Sequence, residues 1–457
     1  MSPHSKINAL GSDPIGKLLL KYSLPAIAGV VVFSLYNIID SIFIGQGVGA
    51  LAISGLAVAF PMMNLTFALG LLVGIGGAAV SSIRIGQQHI RDAFNVLGNV
   101  TILNVIAGLF LGITANLVLD ETLIWFGASE QTLPYARDFM SIILYGLPIT
   151  YTFFNLNHVM RATGYPNKAM YSMILTVCVN IIAAPLFIFT FDLGMKGAAW
   201  ATIISQIAGV IWVLCHFANS NSLIHFKRGI YRLRKRLILN IVSIGLSPCL
   251  MNLCASVVVI LINNGLIKFG GDMAVGAHGI INRILTLFVM IVVGLTQGMQ
   301  PIIGFNYGAK NYARVKEVLK YGLIAGTAVT TIAYLTCELC PSTLVHMFTD
   351  EPELVRNSIT GMRIGMFCFP IVGIQIVIGN FFQATGKAAI SIFLAVSRQL
   401  LFLVPFLLIL PRYFQLNGIW ASLPSADILS CLASVIALIC FLRKLKNKPE
   451  PSTAEEA

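Results

Sequence analysis

The chain alternates long apolar runs with short polar or Gly/Pro-rich punctuation. Twelve runs are long enough to cross a bilayer, at 17–44, 52–76, 93–118, 134–158, 168–190, 196–217, 238–266, 275–298, 317–340, 358–382, 388–411 and 416–442, since roughly 20 apolar residues span the hydrocarbon. The longest exceed that thickness and are expected to tilt or kink. This pattern predicts an all-α, polytopic membrane protein of twelve transmembrane helices. The first run is too long for a secretory leader and is followed by no small-residue cleavage pattern, so it is expected to stay as the first span. The stretch 443–457, rich in Pro, Glu and Lys without apolar period, is expected to form a disordered tail.

Two residues stand out in the first span. Asp40 is a carboxylate in an apolar run, and a charge there costs roughly 2.5–3.5 kcal/mol on insertion scales. Pro25 removes a backbone hydrogen bond and tends to kink a helix. Tyr36 and Asn37 lie four and three residues before Asp40, on nearly the same helix face. Asp40 is therefore a candidate cation or proton switch, with Tyr36 and Asn37 beside it and Pro25 as a bending point. Removal from water penalises the charged form of a carboxylate, which suits proton exchange. The alternative is a structural carboxylate satisfied by hydroxyls and amides inside the bundle. Asn155, Asn157 and Asn180 add intramembrane polar groups to the same half.

Composition and charge narrow the class. Hydrophobic residues make up 57% and charged residues only 11%, against about 25% charged in a soluble domain. The net charge of +12 is one-sided. Lys6, Lys17, Arg84, Arg91, Arg161, Lys168, the run Lys227–Arg236, Lys310, Arg314, Lys316, Lys387 and Arg443–Lys448 all fall on one side of the predicted spans. Lys196, Lys268 and Arg412 fall on the other, with Asp120, Glu121, Glu130, Asp350, Glu351 and Glu353. The positive-inside rule places both termini in the cytoplasm of a cell membrane. The basic run at 227–236 then reads as an orientation signal that meets anionic headgroups, and no nucleic-acid role is expected. The nine cysteines are scattered through apolar segments and read as small hydrophobes. Gly74-Ile-Gly76-Gly77 and Gly45-Gln-Gly47 follow no strand, so they read as helix packing and a turn rather than phosphate loops.

The chain also repeats itself. Arg161-Ala-Thr-Gly164 recurs as Gln383-Ala-Thr-Gly386, Gly49-Ala-Leu-Ala-Ile as Gly271-Asp-Met-Ala-Val, and Pro148 as Pro370, all at an offset of 222. Lys196-Gly197-Ala-Ala-Trp returns as Asn417-Gly418-Ile-Trp at about 221. Six spans return the chain to its starting side, so the halves share orientation about a pseudo-two-fold axis along the membrane normal. The expected organisation is an N-terminal six-helix lobe at 1–217, a basic linker at 218–237, a C-terminal lobe at 238–442 and the tail. The charges differ between halves: the repeat pairs Asp40 with Asn263. Arg283, Arg398 and Asp427 are the C-terminal half's own intramembrane charges, and Arg398 with Asp427 is expected to form an ion pair between neighbouring helices.

Tyr36-Asn-Ile-Ile-Asp40, the two Ala-Thr-Gly span ends, Gly298-Met-Gln-Pro-Ile-Ile-Gly-Phe-Asn-Tyr-Gly-Ala309, Gly197-Ala-Ala-Trp-Ala-Thr202 and Trp420-Ala-Ser-Leu-Pro-Ser-Ala-Asp427 together resemble the multidrug and toxic compound extrusion (MATE) family. Its MepA-like and DinF-like bacterial branch is the most similar. The resemblance implies a V-shaped pair of six-helix bundles that exports cationic or amphiphilic compounds in exchange for H⁺ or Na⁺. It implies that Asp40 protonates or coordinates the ion, with Pro25 bending the helix. Asn180 and Thr202 match further cation-site positions, so a Na⁺ would sit at Asp40, Asn180 and Thr202. The family's second acid in the fifth span is here Ala184. With one carboxylate left, proton coupling is favoured, because a hard cation wants several oxygen ligands. No cofactor beyond the transported ion is expected, and a monomer is the expected state.

Phe153 and Phe154, with Arg283, Arg398 and Asp427, are candidates for the substrate cleft, where a soft aromatic and methionine lining suits a promiscuous site. Two rival readings stay open. One keeps the fold and changes the cargo to a lipid-linked saccharide or an endogenous metabolite. The other is a membrane enzyme or receptor, for which no nucleophile–base or metal constellation is visible in the spans.

Overall fold

The computed structural model describes residues 9–446, the side chains of Asn37, Ala50 and Lys446 excepted. Its first helices are α1 (Ile15–Gly47), α2 (Ala50–Gly86), α3 (Ile90–Leu117), α4 (Leu119–Trp125), α5 (Leu133–Tyr145), α6 (Leu147–Ala162), α7 (Pro166–Pro185) and α8 (Gly194–Ala218). The remainder are α9 (Lys235–Gly308), α10 (Tyr312–Leu339), α11 (Pro341–His346), α12 (Pro352–Gly365), α13 (Phe369–Ala384), α14 (Ala388–Val396) and α15 (Val404–Lys446). Short π-helical turns at Leu186–Thr190 and Ser397–Leu403 follow α7 and α14.

The two longest rods are each two crossings. In α9 the backbone leaves helical geometry at Gly271 (φ 64°, ψ −166°). Gly245 packs on the Leu72 backbone of α2 and Phe305 packs on Gly86 of the same helix. Sixty residues of straight helix would separate residues 245 and 305 by about 90 Å, so the chain reverses at the break. In α15 the break is at Gln415 (φ 50°, ψ −127°), and the ion pair between Arg398 and Asp427 bridges the turn. The fourth and tenth spans are also broken. The α5–α6 pair bends by 58° and the α12–α13 pair by 56°. Each second member has proline in its first turn, Pro148 and Pro370, where the missing N–H is tolerated at a helix start but not in the interior. Counting each bent pair as one span and each folded rod as two gives twelve crossings among the described residues.

Two expectations need correction. The fourth and tenth spans are bent rather than single helices, and the last helix runs on to Lys446, so residues 443–446 do not belong to a structureless tail. The rest of that tail, with Lys6 and Lys448, lies outside the described residues.

The internal repeat is written in the backbone. Left-handed φ values occur at Gly49 and Gly271, at Gln88 and Lys310, and at Gly164 and Gly386, each pair 222 apart. Gly194 and Gln415 form a fourth pair at 221. Matching turns at matching offsets are what duplication of one six-helix unit requires. Buried apolar side chains fall into three clusters. One draws only on residues 44–203, a second only on residues 258–426, and the third mixes both halves around α1, α2 and α9. The halves are thus joined at one end of the bundle and separately packed at the other.

The joint is glycine-lined. A Cβ on Gly86 would lie 1.9 Å from the Phe305 carbonyl oxygen, and one on Gly308 would lie 2.2 Å from that of Ile83. These are reciprocal contacts, since 83 and 86 correspond to 305 and 308. Only glycine allows backbones so close. Ser23 Oγ donates to the Leu295 carbonyl at 3.2 Å, Asn306 Nδ2 to Leu10 at 3.0 Å and Arg314 Nη2 to Asp13 at 2.6 Å, all across the same joint. The basic linker is ordered against the N-terminal half. Ile224 and Ile230 are buried, Asn99 bonds the backbones of Arg232 and Arg234, and Lys227 lies over the Phe94 ring at 4.4 Å.

Candidate coupling site

Asp40 sits in α1 among residues that hide it from solvent, and its Oδ1 has no hydrogen-bond partner. One turn earlier, the Tyr36 hydroxyl is 3.1 Å from Thr202 Oγ1 of α8 and within electrostatic reach of the Asp40 carboxylate. Thr202 Oγ1 also donates to the Ala198 carbonyl at 3.1 Å. Helices α1 and α7 run side by side: Gly29 faces Met173, and Gly47 faces Ile188 and Phe189. That register sets Asn180 level with residues 36–40. Asn180 is fully buried, and both its amide oxygen and its amide nitrogen lack partners.

Buried polar groups are normally paired, and leaving one unpaired costs roughly 1–3 kcal/mol. Three orphaned atoms from two adjacent helices, beside a Tyr–Thr hydroxyl pair, make a set able to take a proton or a small cation. The sequence-predicted residues Asp40, Tyr36, Asn180 and Thr202 come together. Asn37 is in α1, but its side chain lies outside the described residues. No second acid faces them from position 184, where Ala184 is buried.

Asn157 does not join this group. Its Nδ2 donates to the Ala169 carbonyl at 2.9 Å and to Ser172 Oγ at 2.7 Å, and its Oδ1 accepts from Arg161 at 3.2 Å. Ser172 is eight residues before Asn180, about 12 Å along the helix. Asn157 is instead a structural tie between α6 and α7. Pro25 lies inside an uninterrupted α1, so the bending point is carried by a helix that is continuous here.

Aromatic rings extend from the site. Phe33 stacks at 5.6 Å from Tyr36 and meets Phe154 edge-on at 5.2 Å, and Phe154 meets Phe67 at 5.7 Å. Phe153 is core rather than cleft: its ring fills the space above Gly209, where a Cβ would come within 2.4 Å of it. In the C-terminal half, Arg398 Nε and Nη2 both donate to Asp427 Oδ1, at 3.0 and 2.9 Å. Arg398 projects from the π-helical turn. Arg283 is exposed and belongs to none of the ion pairs among the described residues.

Sequence reasoning counted Arg161 as a loop cation. It is 4% exposed and donates to Gln297 of the opposite half. The repeat held the one available signal, since its twin is the neutral Gln383. The π-helical turns and the Thr150–Gln206 and Asn155–Asn104 side-chain bonds left no mark in the apolar pattern.

Comparison with known proteins agrees with this architecture. The MatE family model matches residues 25–186 and 244–409, one match in each half. Multidrug export protein MepA of Staphylococcus aureus (strain MSSA476) is 26% identical over 448 residues, covering 97% of either chain. MATE multidrug transporter DinF-BH, solved with a small organic compound bound, is 34% identical with a TM-score of 0.88, covering 96% of this chain and 98% of its own. A crystal structure of MATE in the bent conformation superposes with a TM-score of 0.91 at 23% identity, covering 96% and 98%. The matched residues take in α1, its acid and the equivalent spans of the second half, and the chain belongs to the MatE family of membrane transporters.

Proposed function

We propose that this protein is a multidrug efflux antiporter, exporting cationic or amphiphilic organic compounds in exchange for protons through Asp40. The observation that carries the reading is the single buried carboxylate whose Oδ1 has no partner, level with an equally unpartnered Asn180. A protonated Asp40 gains an O–H donor, and Asn180 offers both an acceptor and a donor for the neutral acid. An ionised Asp40 would leave a charge among groups that include only one obvious donor besides the hydroxyls. Loading and unloading that proton changes which contacts α1 makes with α7 and α8, and Pro25 gives α1 a place to bend. The relatives named for multidrug export and the one solved with an organic compound bound support organic cargo. The Phe33–Phe67–Phe154 cluster adjoining Tyr36 supplies aromatic faces for it.

In this reading residues 1–217 and 238–442 are two lobes joined by the basic linker, both termini face the cytoplasm of a bacterial inner membrane, and the protein works as a monomer. Sodium is the second reading, supported by the oxygen set of Asp40, Asn180, Thr202 and Tyr36. It supplies one carboxylate only, which is lean for a hard cation. Proteoliposome efflux of a fluorescent cation, driven by ΔpH alone and then by a Na⁺ gradient alone, separates the two. Efflux under ΔpH and none under Na⁺ is the expected result; the reverse overturns proton coupling. Binding of lipid-linked saccharide in place of dye would move the assignment to the flippase class.

A further inference from the structure

The joint between the halves contains one buried charge without a counter-charge. Arg161, at the end of α6, is 4% exposed. Its Nη1 donates to the Gln297 side chain of α9 across the joint and its Nη2 to Asn157 in its own helix, while Nε has no partner. Both partners are neutral amides. None of the ion pairs among the described residues includes it, and the titratable group in electrostatic contact with it is His158, not an acid. Gln297 adjoins Gly298, whose added Cβ would fall 2.4 Å from Ser23 Oγ, so the guanidinium lies within the close-packed seam.

Pseudo-symmetry supplies the control. The twin of Arg161 is Gln383, also buried, and its Nε2 is unpartnered. The twin of Gln297 is Ile75, which has no side-chain acceptor. The two copies of one joint therefore differ by a charge. A buried, hydrogen-bonded but unneutralised guanidinium destabilises the state that buries it, while the glycine contacts around it stabilise that state.

We propose that Arg161 is a positioning residue for the transport cycle: its buried charge holds the closed joint near balance with a state opened at this end, in which the guanidinium is hydrated. It acts as a spring rather than a latch. The inference rests on the transporter reading, but its test needs no substrate and no ion gradient, so failure of the assigned cargo or coupling ion leaves it standing.

The two roles give opposite signs. If Arg161 were a latch, Arg161→Gln would loosen the joint; as a spring, its loss tightens it. Hydrogen–deuterium exchange of the full chain in lipid nanodiscs reads the joint directly at residues 76–86 and 294–308, with the outer-end helices α4 and α11 as internal references. Arg161→Gln is expected to slow exchange in both joint segments by at least about tenfold relative to the references, because a charge-burial penalty of this kind exceeds one decade in an equilibrium. Arg161→Lys, which keeps the charge, is expected to stay within about threefold of the unmodified protein on the same grounds. Gln383→Arg places a second charge in the twin position and is expected to speed exchange there. Faster joint exchange in Arg161→Gln overturns the proposal. Should that variant not fold, Gln383→Arg decides alone, and unchanged or slower joint exchange in it overturns the proposal as well.

Discussion

The two halves of the molecule each bury an aspartate between helices, and they treat it in opposite ways. Asp40 in the N-terminal half has an orphaned oxygen and hydroxyl and amide neighbours without positive charge. Asp427 in the C-terminal half has both Nε and Nη2 of Arg398 on one oxygen. An aspartate with a tethered guanidinium is held ionised and does not need an ion from solution. An aspartate without one must find a proton or a cation whenever it is shut away from water. The same duplicated scaffold thus carries a group suited to exchange on one side and a group suited to structure on the other.

The sharpest way to break this contrast is to neutralise each acid in turn. Asp40→Asn is expected to reduce proton-driven efflux to background in proteoliposomes, while Asp427→Asn retains efflux within several-fold. Equal losses would mean that the halves share the coupling. Stability should rank them the other way. Removing either Arg398 or Asp427 leaves its partner uncompensated, which costs about 3–5 kcal/mol for a fully buried pair and less here, since the Arg398 side chain is 32% exposed. Thermal unfolding in detergent should show a lower midpoint for Arg398→Met and for Asp427→Leu, and recovery in the double variant. Without recovery, the pair is not acting as a unit.

Gly86→Ala and Gly308→Ala probe the joint where the halves are equal. Each Cβ meets a carbonyl oxygen near 2 Å, and overpacking of this kind costs typically 1–3 kcal/mol. The two variants should lose similar stability, and a large inequality would show that the joint is not two-fold in energy. The smallest effect is expected from Tyr36→Phe, which deletes the hydroxyl bonded to Thr202 and is worth about 0.5–1.5 kcal/mol. Efflux should fall several-fold without loss of fold, as read by midpoint and rate together.

Much of the fold was legible because a bilayer enforces it. Backbone groups in hydrocarbon must be satisfied within the segment, so apolar length alone predicts where helices run. The repeat was legible because its turns need particular residues, glycine at 49, 164, 271 and 386 among them. Asp40 was legible because a charge in an apolar run is conspicuous. Asn157 was misassigned on the same reasoning, since an intramembrane amide shows its presence but not its partners. Phe153 and Phe154 are adjacent in the chain, yet one is wedged against Gly209 and the other joins the rings beside Tyr36. The bends at 146 and 366–368 follow from prolines that the apolar pattern passes over.

The sequence by itself determined that this chain spans a membrane about twelve times as a duplicated unit, and that one acid sits in its first span. Those features rest on local constraints, namely apolar length, turn chemistry and the cost of a lone charge. Tertiary structure alone decided which polar groups meet. It set Asn180 beside the level of Asp40, tied Asn157 to Ser172, and moved Arg161 from an expected loop into the seam between the halves. Such pairings depend on how helices rotate and approach one another, and that is settled by packing over distances that no local pattern in the chain records.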